Sequence, residues 1–352
     1  MNTTTGSTAT GYRMPAEWEP HTATWIAWPH RKSDWPGKFR PIAWVYCEIV
    51  RRLHTGERVR IEVQDATHEA DARKKLKRSG VDLSQIDFYT LPTDRCWTRD
   101  HGPIFVLGPN GEKAITDWHF NAWAKYPDWH QDDTIPGSIA RMFDLKSWQP
   151  TIHGKRVVLE GGSIDVNGKG LLLTTEECLL SDVQQRNPGL SCEDIEQVMH
   201  DYLGVQKVLW LDRGIAGDDT HGHVDDLARF VDERTIMMVL EDDANDANYE
   251  PLAENLERLR SMRNLDGGKF EIITLPMPDP IIFDGQRLPA SYANFYIGNE
   301  VVLVPTFNDP KDRIALGQIA DVFPDREIIG IHCGDLVWGL GTLHCMTQQE
   351  PA

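Results

Sequence analysis

S-C-E-D-I-E-Q-V-M-H-D-Y-L-G-V-Q-K-V-L-W-L, from Ser191 to Leu211, contains in one stretch the two element types from which the chain is built. Ser191 is placed to cap a helix, and Asp194 three residues on completes a loose capping box. Ile195, Val198, Met199 and Tyr202 then recur at helical spacing, so one face is apolar. Gly204 stops the helix, and Val208-Leu209-Trp210-Leu211 reads as a strand.

The same order recurs outward from this stretch. A helix is expected from Pro41 to Leu53 before the strand Val59–Val63, and from Thr67 to Arg78 before Asp87–Leu91. Further pairs are Tyr249–Met262 with Phe270–Leu275, and Lys311–Phe323 with Ile328–Ile331. Asp132 to Phe143 is a weaker sixth helix. Other strands are expected at Ile104–Leu107, Val157–Leu159, Leu171–Thr175, Ile236–Leu240, Phe295–Ile297 and Val301–Val304. Asn167-Gly168, between Ile164–Val166 and Leu171–Leu173, signals a hairpin. A helix-then-strand unit repeated about five times gives an α/β or α+β class with many strands. No stretch reads as a linker. Residues 1–13 are therefore expected to be a flexible tail and residues 14–352 a single domain.

The chain has 352 residues, with 36 Lys plus Arg against 54 Asp plus Glu, so its net charge is 36 − 54 = −18. A field of that sign disfavours nucleic acid and anionic membrane surfaces and attracts small cations. No apolar run reaches the roughly 18 residues of a membrane span. The polar start M-N-T-T-T-G-S-T-A-T lacks the apolar core of a secretory signal. The six cysteines form no C-x-x-C pair and read as reduced thiols in a cytoplasm. A homo-oligomeric state stays open.

Three segments follow strand ends at similar offsets: Trp97 to Pro103, Gly217 to Asp226, and Gly339 to Cys345. Loops gathered at one strand end are where α/β folds place their sites. Cys345 follows a Gly-rich turn that allows close backbone approach. His223 and Asp225 alternate, so an extended segment points both the same way. A thiol, an imidazole and carboxylates are the parts of a nucleophilic site. The plain reading of each Cys is a buried small hydrophobe. His221-x-His223-x-Asp225 also resembles a zinc-hydrolase ligand set, but Asp226 stands where that motif needs another His. Glu160-Gly161-Gly162 reads equally as a tight turn and as a partly buried functional carboxylate.

Asp212 to Glu250 holds twelve Asp or Glu against three Arg, most of them expected on a solvated face. Nine of the twelve tryptophans lie between Trp18 and Trp129, and core packing accounts for most. Trp97 differs: it sits three residues before Asp100, where an indole face could stack on a flat cation.

An ordered series of motifs resembles the agmatine deiminase and bacterial-type peptidylarginine deiminase family of the guanidine-modifying (pentein) superfamily. It runs through M-P-A-E-W-E-P-H (Met14 to His21), W-T-R-D-H-G-P (Trp97 to Pro103), L-E-G-G-S-I (Leu159 to Ile164) and T-T-E-E-C-L-L (Thr174 to Leu180). It continues with D-D-T-H-G-H-V-D (Asp218 to Asp225), P-A-S-Y-A-N-F-Y (Pro289 to Tyr296) and H-C-M-T-Q-Q-E-P (His344 to Pro351). The resemblance implies an α/β fold arranged as a five-bladed, pseudo-symmetric propeller with the site on its axis. It also implies Cys345 as nucleophile, His223 as general acid/base, Glu160 supporting the His, Asp100 and Asp225 holding a guanidinium, and Trp97 lining the pocket. Neither metal nor organic cofactor is implied.

The expected reaction converts agmatine to N-carbamoylputrescine and ammonia through a covalent thiouronium, a step of polyamine biosynthesis. The alternatives are a peptidylarginine deiminase, a deiminase of another small guanidine, an amidinotransferase, and the zinc hydrolase through His221, His223 and Asp225. Agmatine deiminases typically read G-G-G-N-I-H-C and D-E-T-D-G-H-V-D-N, where this chain has Gly339-Leu340-Gly341-Thr342-Leu343-His344-Cys345 and carries His221 and Asp226 in place of Asp and Asn. Those differences fall beside the expected site.

Overall fold

The computed structural model describes residues 8–352. The helix expected after Ser191 spans Cys192–Leu203 with a full capping box: Ser191 accepts from the Asp194 N–H and Asp194 accepts from the Ser191 N–H. Gly204 ends it in the left-handed region at φ 71°, and the predicted apolar face is the buried one.

The repeating unit is larger than helix-then-strand. A short strand pairs antiparallel with a second, and a helix then crosses to a third strand parallel to the second. An antiparallel pair needs only a tight turn, whereas a parallel pair needs a crossover. Four units follow this order. Ile104–Leu107, Lys113–Thr116 and Lys146–Trp148 form one, crossed by the helix Ile135–Met142. Asp165–Val166, Leu171–Thr175 and Lys207–Leu211 form the next, crossed by Cys192–Leu203. Ala228–Phe230, Thr235–Leu240 and Glu271–Pro276 are crossed by Tyr249–Ser261. Tyr296–Ile297, Val301–Thr306 and Glu327–His332 are crossed by Asp312–Val322. The fifth sheet joins the two ends of the chain. Gln348–Pro351 runs antiparallel to His21–Ala27, which is parallel to Arg58–Val63 and through it to Ile86–Thr90. Its crossovers are Phe39–Leu53 and Ala66–Arg78. The fold is α/β.

The weak sixth helix is thus a full member of the repeat. The strand expected at Val157–Leu159 is absent; only a lone bridge joins Val158 to His119. The Asn187 side chain takes both the N–H and the C=O of Val158, which removes them from any ladder. Of the expected tail, residues 1–7 lie outside the described residues. The remainder is packed: the Ala9 N–H donates to Asp201 O, Arg13 bridges to Leu107, and Tyr12 meets the Trp148 ring edge-on. Trp25, Trp28, Trp35 and Trp148 are fully buried, as core packing requires. Among the described residues no helix is long and apolar enough to cross a membrane.

One positional rule matters for function. In every unit, the segment leading into the first strand turns toward the same region. The short helix Thr98–His101 packs on the turn Gly161–Ser163, which packs on Val224–Asp226. The Arg99 N–H donates to Cys345 O, and the His344 N–H donates to Asn294 O.

Candidate active site

Cys345 is 6% exposed, on the segment leading into the last strand. Its Sγ lies 3.1 Å from Asn294 Nδ2 and 3.6 Å from Asp225 Oδ2. A Cβ on Gly341 would come within 2.7 Å of the Trp97 ring and 3.2 Å of Sγ, so any side chain there would be driven into the indole and the sulfur. Burial, then the carboxyls of Asp225, Asp226 and Asp100, push the thiol well above its ordinary value. Cys345 is therefore held as a thiol, and a cation entering among those carboxylates would favour the thiolate.

His223 is 1% exposed. Its Nδ1 is 3.7 Å from Asp100 Oδ1 and 4.0 Å from Asp225 Oδ1, and its Nε2 is 3.8 Å from Glu160 Oε2. Burial alone would lower the imidazole, but Asp100, Cys178 and Glu160 raise it well above its ordinary value. Glu160 is pinned by Arg186 Nε at 3.0 Å. Burial opposes its charge, yet Arg186 and His223 bring it down to about 2. The Glu160 carboxylate is thus ionised and the His223 imidazole is charged at neutral pH.

Asp100 accepts from Trp123 Nε1 at 2.9 Å and from the Gly162 N–H at 3.1 Å. Its carboxyl is raised by burial against the pull of His223. Gly162 is not a plain turn residue. A Cβ there would lie 2.6 Å from His223 Nδ1, 2.8 Å from Asp100 Oδ1 and 3.1 Å from Asp225 Oδ2, in the space where the three groups meet. Asp225 pairs with His344 Nδ1 at 2.7 Å, and His344 Nε2 sits 2.8 Å from Glu17 Oε2. Burial opposes the Asp225 charge, but His344 holds the carboxyl below its ordinary value. Glu17 in turn holds Arg99 and Arg229 at 3.1 and 3.0 Å. His223 Nε2, Glu160 Oε2 and Asp225 Oδ1 are buried without a hydrogen-bond partner among the described residues. Such groups are costly unless a ligand or water completes them.

A cavity of about 260 Å³ opens onto Cys345, Asp100, Trp97 and Trp123. Asp225, His223 and Glu160 are not on its wall; they back it from behind Asp100 and Cys345. Trp97 is braced by the Trp35 ring, centroids 5.6 Å apart. Asp34, Arg31, Arg95 and Asp219 also line the cavity. Asp34 pairs with Arg95 at 2.9 Å, but its Oδ2 is unpartnered and burial pushes it up to about 6. Asp219 accepts from Lys125 and Tyr126 at 2.6 and 2.7 Å.

The structure separates the zinc-type set. His221 turns away at φ 65° toward Glu177, 3.7 Å off, and Ser181, 3.2 Å off. Among the described residues, side chains close enough to share an ion are Glu160 with Cys178 and His223, and Asp225 with Asp226 and Cys345. His221 joins neither, and His223 and Asp225 fall in different groups. Sequence reading passed over Trp123, Arg186, His344, Glu17 and Asn294. Asn294 lies within P-A-S-Y-A-N-F-Y, a motif to which no role was attached.

A family model described as Porphyromonas-type peptidyl-arginine deiminase matches residues 13–351. The chain is 35% identical over 372 aligned residues to agmatine deiminase of Ectopseudomonas mendocina (strain ymp), covering 99% of this chain and 98% of that one. A solved agmatine deiminase of Enterococcus faecalis superposes with a TM-score of 0.92 at 35% identity, covering 100% and 99% of the two chains. A cysteine-to-serine agmatine deiminase of C. jejuni with substrate bound gives 0.86 at 30% identity, covering 97% and 96%.

Proposed function

We infer that this chain, which belongs to the Porphyromonas-type peptidyl-arginine deiminase family, is an agmatine deiminase. It hydrolyses the C–N bond of a guanidine and releases ammonia. The observation that carries the reading is the placement of Cys345, Asp100 and Trp97 on one cavity, with Asp225 3.6 Å from the sulfur. A guanidinium is planar and stays charged, and two carboxylates match its N–H fork. Asp100 offers one from the cavity wall, and Asp225, with Oδ1 unpartnered, offers the other once the guanidinium seats beside Sγ.

In this reading Asp100 and Asp225 hold the guanidinium, Trp97 stacks on its plane, and the central carbon faces Sγ. The substrate's charge offsets the carboxylates that hold Cys345 as a thiol, and the thiol proton passes to solvent as the guanidinium seats. The thiolate attacks the carbon and forms a C–S bond. His223 gives its proton to the departing nitrogen, the C–N bond breaks, and ammonia leaves. His223, now neutral and flanked by Glu160, takes a proton from water as its oxygen attacks the thiouronium carbon. The C–S bond breaks, its electron pair returns to Cys345, the product's hydroxyl proton passes to that sulfur, and N-carbamoylputrescine departs toward putrescine formation.

Support for a small substrate comes from the cavity's size and the nucleophile's burial, which leave little room for an arginine carried on a protein loop. We read the five sheets as blades of one propeller around this site, in a single catalytic domain over residues 14–352 acting in the cytoplasm.

The test is ureido-product formation from agmatine, free arginine and a blocked arginine peptide, with Cys345→Ser as control. Turnover of agmatine, lost in Cys345→Ser, is expected. Turnover of the peptide alone would contradict the small-substrate reading.

A further inference from the structure

Asn294 stands at the end of P-A-S-Y-A-N, on the segment leading into the strand Tyr296–Ile297. The side chain is fully buried, and its amide is fixed from both ends. Oδ1 accepts from Thr342 Oγ1 at 2.7 Å and from the His344 N–H at 3.0 Å. A flipped amide would set N–H against N–H at His344, so the oxygen must face that way. Nδ2 then has two hydrogens to place. One goes to Asp226 Oδ1 at 2.9 Å, and the other points at Cys345 Sγ across 3.1 Å.

We propose that Asn294 is a further catalytic residue, the fixed N–H donor that stabilises the Cys345 thiolate when it forms, with Asp226 as the positioning residue that aims it. The inference rests on the reading of Cys345 as nucleophile. The need for such a donor follows from what faces Sγ. The helix Thr98–His101 brings the Asp100 carboxyl, and the turn Val224–Asp226 brings those of Asp225 and Asp226. His344 acts on the sulfur only through Asp225, which it holds at 2.7 Å. On the sulfur's own segment, the Thr342 backbone works in the same sense as Asn294. A neutral amide can stabilise the sulfur's charge without competing with the substrate cation for the carboxylates. It serves twice: when the thiolate forms for attack, and when it is expelled from the thiouronium. A hydrogen bond to a charged group typically shifts such an equilibrium by about tenfold, or about one pH unit.

The experiment is the pH dependence of iodoacetamide alkylation without substrate, read at Cys345 by peptide mapping to separate it from the other five cysteines. Wild type is compared with Asn294→Ala and Asn294→Leu. Asn294→Leu is nearly isosteric and removes the donor without adding a charge, so it tests the donor even where Asn294→Ala does not fold. We expect Cys345 in either variant to react about tenfold more slowly near neutral pH, with its midpoint raised by about one unit. An unchanged midpoint in a folded variant overturns the proposal, because a merely structural amide would leave the thiol's titration alone. Agmatine turnover by Cys345→Ser, run alongside, would instead remove the nucleophile reading, so the two failures are distinguishable.

Discussion

Trp123 Nε1 donates to Asp100 Oδ2 across 2.9 Å, from a residue whose own backbone is in the left-handed region at φ 59°. Ala122 and Ala124 on either side are left-handed too. Three consecutive non-glycine residues in that region are costly, and the packing around them has to hold them there. The turn delivers an indole N–H to a carboxylate that lines the cavity. Trp123→Phe keeps the ring and removes the donor. The agmatine KM should rise about tenfold, in line with a lost hydrogen bond to a charged group. Steady-state kinetics check this; an unchanged KM would mean that Asp100 is positioned by the Gly162 N–H alone.

Gly162→Ala puts a methyl where His223, Asp100 and Asp225 converge. Each of the three must move by several tenths of an ångström. Displacement on that scale is expected to lower kcat about a hundredfold. The thermal midpoint should fall far less, since the methyl meets side chains that can yield. Parallel kcat and melting measurements separate the two effects.

Arg186 and Glu160 form an ion pair with no solvent exposure. Arg186→Met leaves a buried carboxylate unpaired, which typically costs about 3–5 kcal/mol. Urea unfolding at neutral pH should show that loss. Its pH dependence has a definite sign. Glu160 titrates at about 2 when folded and near 4.5 when free, so the folded state binds fewer protons between those values. The pair's stabilisation is complete above the free value and disappears as pH falls toward the folded one. The gap between wild type and Arg186→Met should close over the same range.

Asp34 faces the cavity with one oxygen unpartnered and titrates at about 6. Its carboxylate exists above that value, where it can accept from the distal ammonium of agmatine. The wild-type KM should therefore climb as pH drops through about 6. Asp34→Asn should raise KM at neutral pH and flatten that climb. KM measured against pH for both proteins checks it.

Much of this was legible before any coordinates. Helices with a periodic apolar face, such as Cys192–Leu203 and Phe39–Leu53, announce themselves because that face is what they bury. The strands His21–Ala27 and Gln348–Pro351 do not. Q-Q-E-P has no strand propensity, and it pairs because Glu350 reaches Arg60, Lys113 and Trp25 across the sheet. Such an edge is set by distant partners. The same divide runs through the site. Cys345, His223 and Asp100 stand in motifs whose chemistry is local. Asn294, Arg186 and Trp123 owe their roles to contacts 51, 26 and 23 residues away, which no spacing rule encodes. His221 misled in the opposite sense: an alternating H-x-H-x-D implies one shared face only if the segment is extended, and a left-handed residue at His221 breaks that.

The central claim is that Cys345 attacks the guanidine carbon of agmatine. Its most direct test is the intact mass of the protein quenched in acid during steady-state turnover, with the adduct located by peptide mapping. A species heavier by agmatine less ammonia, on Cys345 and absent in Cys345→Ser, is the predicted result. Undiminished turnover by Cys345→Ser, with no adduct on the wild-type thiol, would contradict it.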